Sequence, residues 1–204
     1  MKKGALIVIS GPSGTGKGTI CTRLCQQNSK LHCSISITTR SPRKGEKDGL
    51  NYYFLTEEKF QALIKQGALL EWAKVYGHFY GTLQQRVEEK RAQGFDVILE
   101  IDTQGAKQVR GKTKEASFIF LLPPSMDELW ARIQGRGTDS PEVIKERFAA
   151  AYREVQEIWK YDYVVINENI SETVRNIEAI ILAEKCRVGR DKNILYRLKE
   201  GEKQ

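Results

Sequence analysis

The chain has 204 residues, of which 40% are hydrophobic and 29% charged, a balance typical of one folded domain and not of a disordered chain. Its longest apolar runs are far too short to cross a bilayer, and its N-terminus lacks the apolar core of a secretory signal, so we expect a cytoplasmic protein that does not span a membrane. The net charge is +7, and residues 1–45 hold eight basic and no acidic residues. This basic segment suits an anionic ligand or nonspecific contact with nucleic acid.

The first predicted elements are a strand over residues 5–10, a glycine-rich turn and a helix over 19–27. Residues 33–82 then predict a small mixed β excursion. Its predicted strands are 34–38, 52–55, 69–75 and 78–80, around one helix at 57–66.

Strands and helices alternate again in the rest of the chain. Apolar runs predict buried strands at 97–101, 118–122 and 164–166, and the segments after them predict helices at 105–109, 126–133 and 172–187. This alternation indicates an α/β fold with a parallel sheet covered by helices on both faces.

The turn after the first strand carries the first chemical motif. It reads Gly11, Pro12, Ser13, Gly14, Thr15, Gly16, Lys17, Gly18 and Thr19. A G-x-x-x-x-G-K sequence between a strand and a helix is typical of a P-loop, in which backbone N–H groups surround phosphate oxygens and the lysine reaches the β- and γ-phosphates. A simple glycine-rich turn is the alternative. Gly18 stands where many P-loops have a hydroxyl ligand of Mg²⁺, so we expect a metal ion here to be held mainly by nucleotide oxygens and waters.

Two carboxylates follow the predicted strand 97–101. Glu100 and Asp102 lie two positions apart, at the edge of a parallel sheet where ligands bind. Asp102 could bind substrate or orient a metal-bound water. The alternative is a strand end that turns to solvent.

A basic turn and two tyrosines suggest a second anion site. Arg40 and Arg43 flank Pro42, and two guanidinium groups suit a phosphate dianion. Tyr52 and Tyr80 could add phenolic donors, although tyrosines in short strands are more often half-buried packing residues.

The cysteines and tryptophans predict no chemistry. Four cysteines without metal-binding spacing are expected to be reduced and mostly buried. The three tryptophans lie in apolar patterns and are expected in the core.

Several motifs in order resemble one family. These are the P-loop, Thr-Thr-Arg-Ser-Pro-Arg-Lys-Gly-Glu at 38–46, Asn-Tyr-Tyr-Phe at 51–54, Glu-Trp-Ala at 71–73, Tyr-Gly-Thr at 80–82 and Glu-Ile-Asp-Thr-Gln-Gly at 100–105. From about residue 4 to about 187 the chain resembles bacterial guanylate kinases. The resemblance implies a P-loop parallel-sheet core (about 1–32, 83–125 and 160–188), a GMP-binding insertion (about 33–82) and a helical lid (about 126–159). The basic tail (189–204) lies outside the resemblance.

The same resemblance implies a reaction, ATP + GMP → ADP + GDP with Mg²⁺, and a set of site residues. Arg40, Arg43, Tyr52 and Tyr80 would grip the GMP phosphate, and Ser36, Glu71, Thr82 and Asp102 would face guanine, with Glu100 beside them. Arg132, Arg136 and Arg147 match lid arginines that join Lys17 in catalysis, and Asn167 matches a position near the adenine of ATP.

Base chemistry agrees with this assignment. Guanine presents N–H donors beside its O6 acceptor, so carboxylates such as Glu71 and Asp102 can accept from it. Taken alone, Glu71 reads as an exposed acidic residue. Three alternatives stay open: a catalytically silent protein-interaction module, a monophosphate kinase for another base, and nonspecific nucleic-acid binding, which we expect least. A homo-oligomer is possible.

Overall fold

The computed structural model of the protein describes residues 3–135 and 141–188, in which nine strands and seven α-helices lie. The strands are β1 (Leu6–Ser10), β2 (Leu31–Cys33), β3 (Ile37–Thr38), β4 (Tyr53–Phe54), β5 (Leu69–Val75), β6 (His78–Leu83), β7 (Asp96–Glu100), β8 (Ala116–Leu122) and β9 (Tyr163–Ile166). The helices are α1 (Lys17–Gln27), α2 (Glu57–Lys65), α3 (Gln84–Ala92), α4 (Thr103–Lys112), α5 (Met126–Gln134), α6 (Pro141–Val155) and α7 (Ile170–Lys185), with a short 3-10 helix at Gln156–Lys160.

The central sheet confirms the predicted architecture. Its five strands run in the order β2-β7-β1-β8-β9, and every pairing is parallel. Side chains alternate between the faces of β1, so Ile7 packs with α1 and α7 while Leu6 packs with α3 and α4. The buried sheet thus brings the ends of β1 and β7 to one edge.

The second sheet forms the predicted mixed β excursion. Its order is β4-β3-β6-β5, with one parallel pair and two antiparallel pairs. A small core of its own holds Ile37, Phe60, Leu69 and Phe79. The boundaries 33–82 of a GMP-binding insertion stay a prediction.

Some elements differ from the predictions, and β2 (Leu31–Cys33) is a strand that the sequence pattern does not predict. The prediction of a strand over residues 34–38 is wrong for its first three residues, because β3 begins only at Ile37. The Ser34 amide still donates to the Ile98 carbonyl of the core sheet, and the chain then crosses to the second sheet. Helix α3 was not predicted, since Val87 and Arg91 are its only buried residues and its apolar periodicity is too weak to see.

The expectation of four reduced cysteines is wrong. The pairing of β2 with β7 sets Cys33 beside the last turn of α1, and Cys25 and Cys33 form a disulfide with their Cα atoms 6.5 Å apart. Cys21 is free and buried, whereas Cys186 is free and exposed. The expectation of a core position is also wrong for Trp159, which is 91% exposed in the 3-10 helix before β9.

Helices α5 and α6 pack against each other through Leu129, Ile133 and Ala151, in the region predicted to be a lid. Arg136 and the tail 189–204 lie outside the described residues. Within residues 3–135 and 141–188, no helix is both long enough and apolar enough to cross a membrane.

Candidate active site

The predicted P-loop joins the end of β1 to the start of α1. The Lys17 ammonium donates to the carbonyl oxygens of Gly11, at 2.6 Å, and Pro12, at 2.9 Å. Burial lowers the pKa of Lys17, while the carboxylates of Glu100, Glu154 and Asp102 act in the opposite direction. The loop thus holds a cation and the N-terminal amides of a helix in one place, as a phosphate-binding site requires.

Asn167 supports this loop from the end of β9. Its side-chain amide donates to the Thr15 carbonyl at 2.7 Å, and its amide oxygen accepts from the Thr173 hydroxyl at 3.1 Å. The side chain is buried. Its visible role is to brace the P-loop, and its contact with adenine stays a prediction.

The two carboxylates after β7 stand beside the P-loop, as the parallel sheet predicts. Asp102 caps α4 by accepting from the Gly105 amide at 2.8 Å, and burial raises its pKa. A Cβ atom on Gly18 would lie 3.3 Å from a Glu100 carboxylate oxygen. Glycine at position 18 therefore leaves room for the Glu100 carboxylate beside the loop.

Glu71 is a buried acid on β5, only 3% exposed. It accepts a hydrogen bond from the Thr82 hydroxyl on β6 at 2.6 Å. Across the sheet edge, a Cβ atom on Gly105 would lie 2.4 Å from the other Glu71 oxygen, so any side chain at position 105 would have to displace the Glu71 carboxylate. Burial raises the pKa of Glu71 to about 7. The interpretation of Glu71 as an exposed residue, drawn from its position alone, is wrong.

This pKa makes the stability depend on pH. An acid whose pKa rises from 4.5 unfolded to about 7 folded destabilises the native state once it ionises. Relative to the Glu71→Gln variant, wild type should lose roughly 3 kcal/mol of unfolding free energy between about pH 5 and pH 8. Urea denaturation of both proteins across this range measures the difference, and a constant difference would contradict the shifted pKa.

Arg40 joins the two tyrosines predicted with it. Its guanidinium donates to both Glu46 carboxylate oxygens at 2.9 Å and, through Nε, to the Tyr80 hydroxyl at 3.2 Å, and it lies 5.4 Å from the centre of the Tyr52 ring. The Glu46 carboxylate raises the pKa of Arg40. Arg43 is exposed, and its backbone amide donates to Glu46 at 2.7 Å.

Of the predicted lid arginines, one contacts the P-loop. Arg147 on α6 is buried and donates to the Ser13 hydroxyl at 2.6 Å. Arg132 instead pairs with Glu128 on its own helix and donates to the Asn167 carbonyl at 3.2 Å. Arg136 cannot be placed, because it lies outside the described residues.

These groups meet in one cleft of about 380 Å³. Its lining includes Gly11, Ser13, Lys17, Ser36, Tyr52, Glu71, Tyr76, Tyr80, Glu100, Asp102, Gln104 and Glu154. Of the predicted site residues outside the P-loop that the structure describes, six are not part of this lining: Arg40, Arg43, Thr82, Arg132, Arg147 and Asn167.

Sequence reasoning missed Glu46, Tyr76 and Glu154. One signal could have found Glu46, because it is the first acidic residue after 45 residues without any. Glu154 lies seven residues after Arg147, so a helix places both on one face of α6. The sequence around Tyr76 contains no pattern that would indicate a role in the site.

The parallel sheet, the P-loop and a cleft that continues to buried acids define a P-loop nucleotide-binding protein with room for a second ligand. The family model described as "Guanylate kinase" matches residues 3–184. The guanylate kinase of Caldanaerobacter subterraneus subsp. tengcongensis is 54% identical over 98% of this chain and 97% of its own, and that of Clostridium perfringens is 52% identical over 98% and 93%. The crystal structure of guanylate kinase from Anaplasma phagocytophilum is 34% identical, covers 97% of this chain and 95% of its own, and superposes with a TM-score of 0.82. The chain belongs to the guanylate kinase family.

Proposed function

We propose that the protein transfers the γ-phosphoryl group of ATP to GMP and releases ADP and GDP. One observation carries the proposal: a single cleft joins the P-loop lysine, Lys17, to the buried acceptor Glu71. Family membership over nearly the whole chain supports the same reaction. We extend the proposal to dGMP as an acceptor.

The guanine base would be recognised at the end of the cleft that contains Glu71. Glu71 and Asp102 offer acceptors to the N–H groups of guanine, and the hydroxyls of Ser36 and Thr82 complete the polar surface. Adenine has an acceptor at N1, so it would leave these carboxylates unpaired, which costs far more than a missing apolar contact. The Thr82 hydroxyl holds Glu71 in place for this role.

The GMP phosphate would bind to Arg40, Arg43, Tyr52 and Tyr80. Because the two terminal guanidinium nitrogens of Arg40 donate to the Glu46 carboxylate, the arginine is oriented before the substrate binds. Arg43 is exposed, so its guanidinium is accessible to the anion. Glu46 is thus proposed as a positioning residue.

The ATP phosphates would lie in the loop from Gly11 to Thr19. Lys17 would neutralise charge on the transferred group, with Arg147 and the further lid arginines Arg132 and Arg136 beside it. The GMP phosphate is already an anionic nucleophile, so the chain needs no strong base. Asn167 braces the loop and is proposed to border adenine.

The residues beside the P-loop fit Mg²⁺ bound to ATP. Gly18 leaves space filled by the Glu100 carboxylate, and Asp102 lies on the same edge. The described residues contain no group of three or more His, Cys, Asp or Glu side chains that could hold a metal ion, so we propose that Glu100 and Asp102 hold waters of the ion. When bound, Mg²⁺ supplies charge neutralisation on the phosphates.

We further propose that residues 33–82 move as a GMP-binding subdomain and about 126–159 as a lid, and that the protein works in the cytoplasm. The Cys25–Cys33 disulfide counts against this location, since reducing compartments keep thiols reduced. Titration of free thiols in freshly lysed cells tests it.

ATP and GMP are the proposed partners, without specific nucleic acid or a membrane. Light scattering, which measures the molar mass in solution, would test whether the protein forms a homo-oligomer.

The test is ADP release by the purified chain with Mg²⁺-ATP and, in parallel, GMP, dGMP, AMP, CMP, UMP or no acceptor. Turnover should require GMP or dGMP and should stop when a chelator removes Mg²⁺. Turnover with AMP or a pyrimidine would overturn the base assignment. No turnover by a folded sample that still binds GMP would favour a protein-interaction module.

A further inference from the structure

The hairpin of β5 and β6 turns through two residues, Tyr76 and Gly77. Val75 pairs with His78, and the backbone angle φ is 48° at Tyr76 and 83° at Gly77. A two-residue turn with positive φ at both positions strongly favours asparagine, aspartate or glycine at the first position. Within residues 3–135 and 141–188, Tyr76 is the only residue other than glycine with a positive φ. Tyrosine therefore occupies a position at which the backbone conformation favours other residue types.

The ring of Tyr76 lies where the hairpin meets α6. The Arg147 guanidinium carbon is 5.8 Å from the ring centre, and the same guanidinium donates to Ser13 of the P-loop. Tyr76 also lines the cleft, as does Glu154 of α6. The other end of the hairpin strands carries Glu71. One aromatic ring thus connects the strands of the base site to the arginine that touches the P-loop.

We propose that Tyr76 is a positioning residue, whose ring holds the Arg147 guanidinium in place and so joins the hairpin tip to α6. The inference rests on the proposed function. A contact between a cation and an aromatic face uses no hydrogen-bond donor, so the ring can hold the Arg147 guanidinium while that guanidinium donates to Ser13. Tyr76 also lines the cleft, so its ring takes up space that water would otherwise fill, and water is a competing acceptor of the phosphoryl group.

The test uses Tyr76→Asn, because Asn-Gly is a favoured pair for this turn. The melting temperature should stay equal or rise. With saturating ATP and GMP, kcat should fall about tenfold, the loss expected when one cation–aromatic contact is removed, while the KM for GMP changes by less than about threefold. Hydrolysis of ATP without GMP should rise as a fraction of total turnover.

Two further variants test whether loss of the aromatic ring, and not another change near the turn, causes the fall in kcat. Tyr76→Phe keeps the ring and should restore kcat to within about twofold of wild type. His78→Ala, an exposed change on the same turn, should leave kcat unaltered. Wild-type kcat in Tyr76→Asn, or a loss in Tyr76→Phe as large as in Tyr76→Asn, would overturn the proposal.

A second measurement does not depend on turnover. Hydrogen exchange of α6 amides around Arg147, in the protein without nucleotide, should be faster in Tyr76→Asn than in wild type. Equal exchange rates in the two proteins would contradict the proposed role of the contact between Tyr76 and Arg147. If wild type failed to phosphorylate GMP, the proposed function would fail, whereas the exchange rates would still decide whether Tyr76 holds α6.

Discussion

Lys17→Met is expected to lower kcat/KM for GMP phosphorylation about 10³-fold, the size of effect seen when a preorganised charge at the transferred group is removed. Methionine has a similar length and no charge. The two loop carbonyls that now accept from Lys17 would lose their donor, but the P-loop backbone would still be braced by Asn167. The loss should therefore fall on chemistry more than on folding.

Initial rates of ADP formation at varied ATP and GMP concentrations measure this effect, and circular dichroism checks the fold. Lys107→Met removes an exposed lysine of α4 and serves as the matched control, with unchanged turnover expected. If Lys17→Met turned over GMP within a few-fold of wild type, the catalytic assignment of the P-loop would be wrong.

Glu71→Gln is expected to reduce the preference for GMP over AMP, expressed as a ratio of kcat/KM values, by about 10²-fold. The amide nitrogen of glutamine is a donor and would face the N–H donors of guanine. Asp102 remains as an acceptor, so part of the preference should survive. The Thr82 hydroxyl can still donate to the remaining oxygen of the side chain, which favours a folded variant.

Parallel kinetics with GMP and AMP measure the ratio. Glu89→Gln makes the same chemical change at an exposed position of α3 and should leave the ratio unaltered. Thr82→Ser keeps the hydroxyl that positions Glu71 and should retain most of the preference. An unchanged ratio in Glu71→Gln would mean that another group reads the base.

The parts of the site that lie on adjacent residues were predictable from sequence. The P-loop follows from glycine and lysine spacing between a strand and a helix, and the edge position of Asp102 follows from the parallel order of the strands. Both depend on local geometry and on the direction of the chain. Arg147 was identified only through the family resemblance, and its contact with Ser13 joins residues 134 positions apart.

The sequence by itself determined the α/β class, the phosphate-binding loop and the family, because these depend on periodicity, turn chemistry and motif order. Only the tertiary structure decided that Glu71 is buried, that Cys25 meets Cys33, that Trp159 faces solvent and that Tyr76 reaches Arg147. The physical reason is that burial, pKa and side-chain contact depend on neighbours that the fold brings together. Glu71 has its raised pKa because the fold buries it, whereas the hydrogen bond from Thr82 acts in the opposite direction.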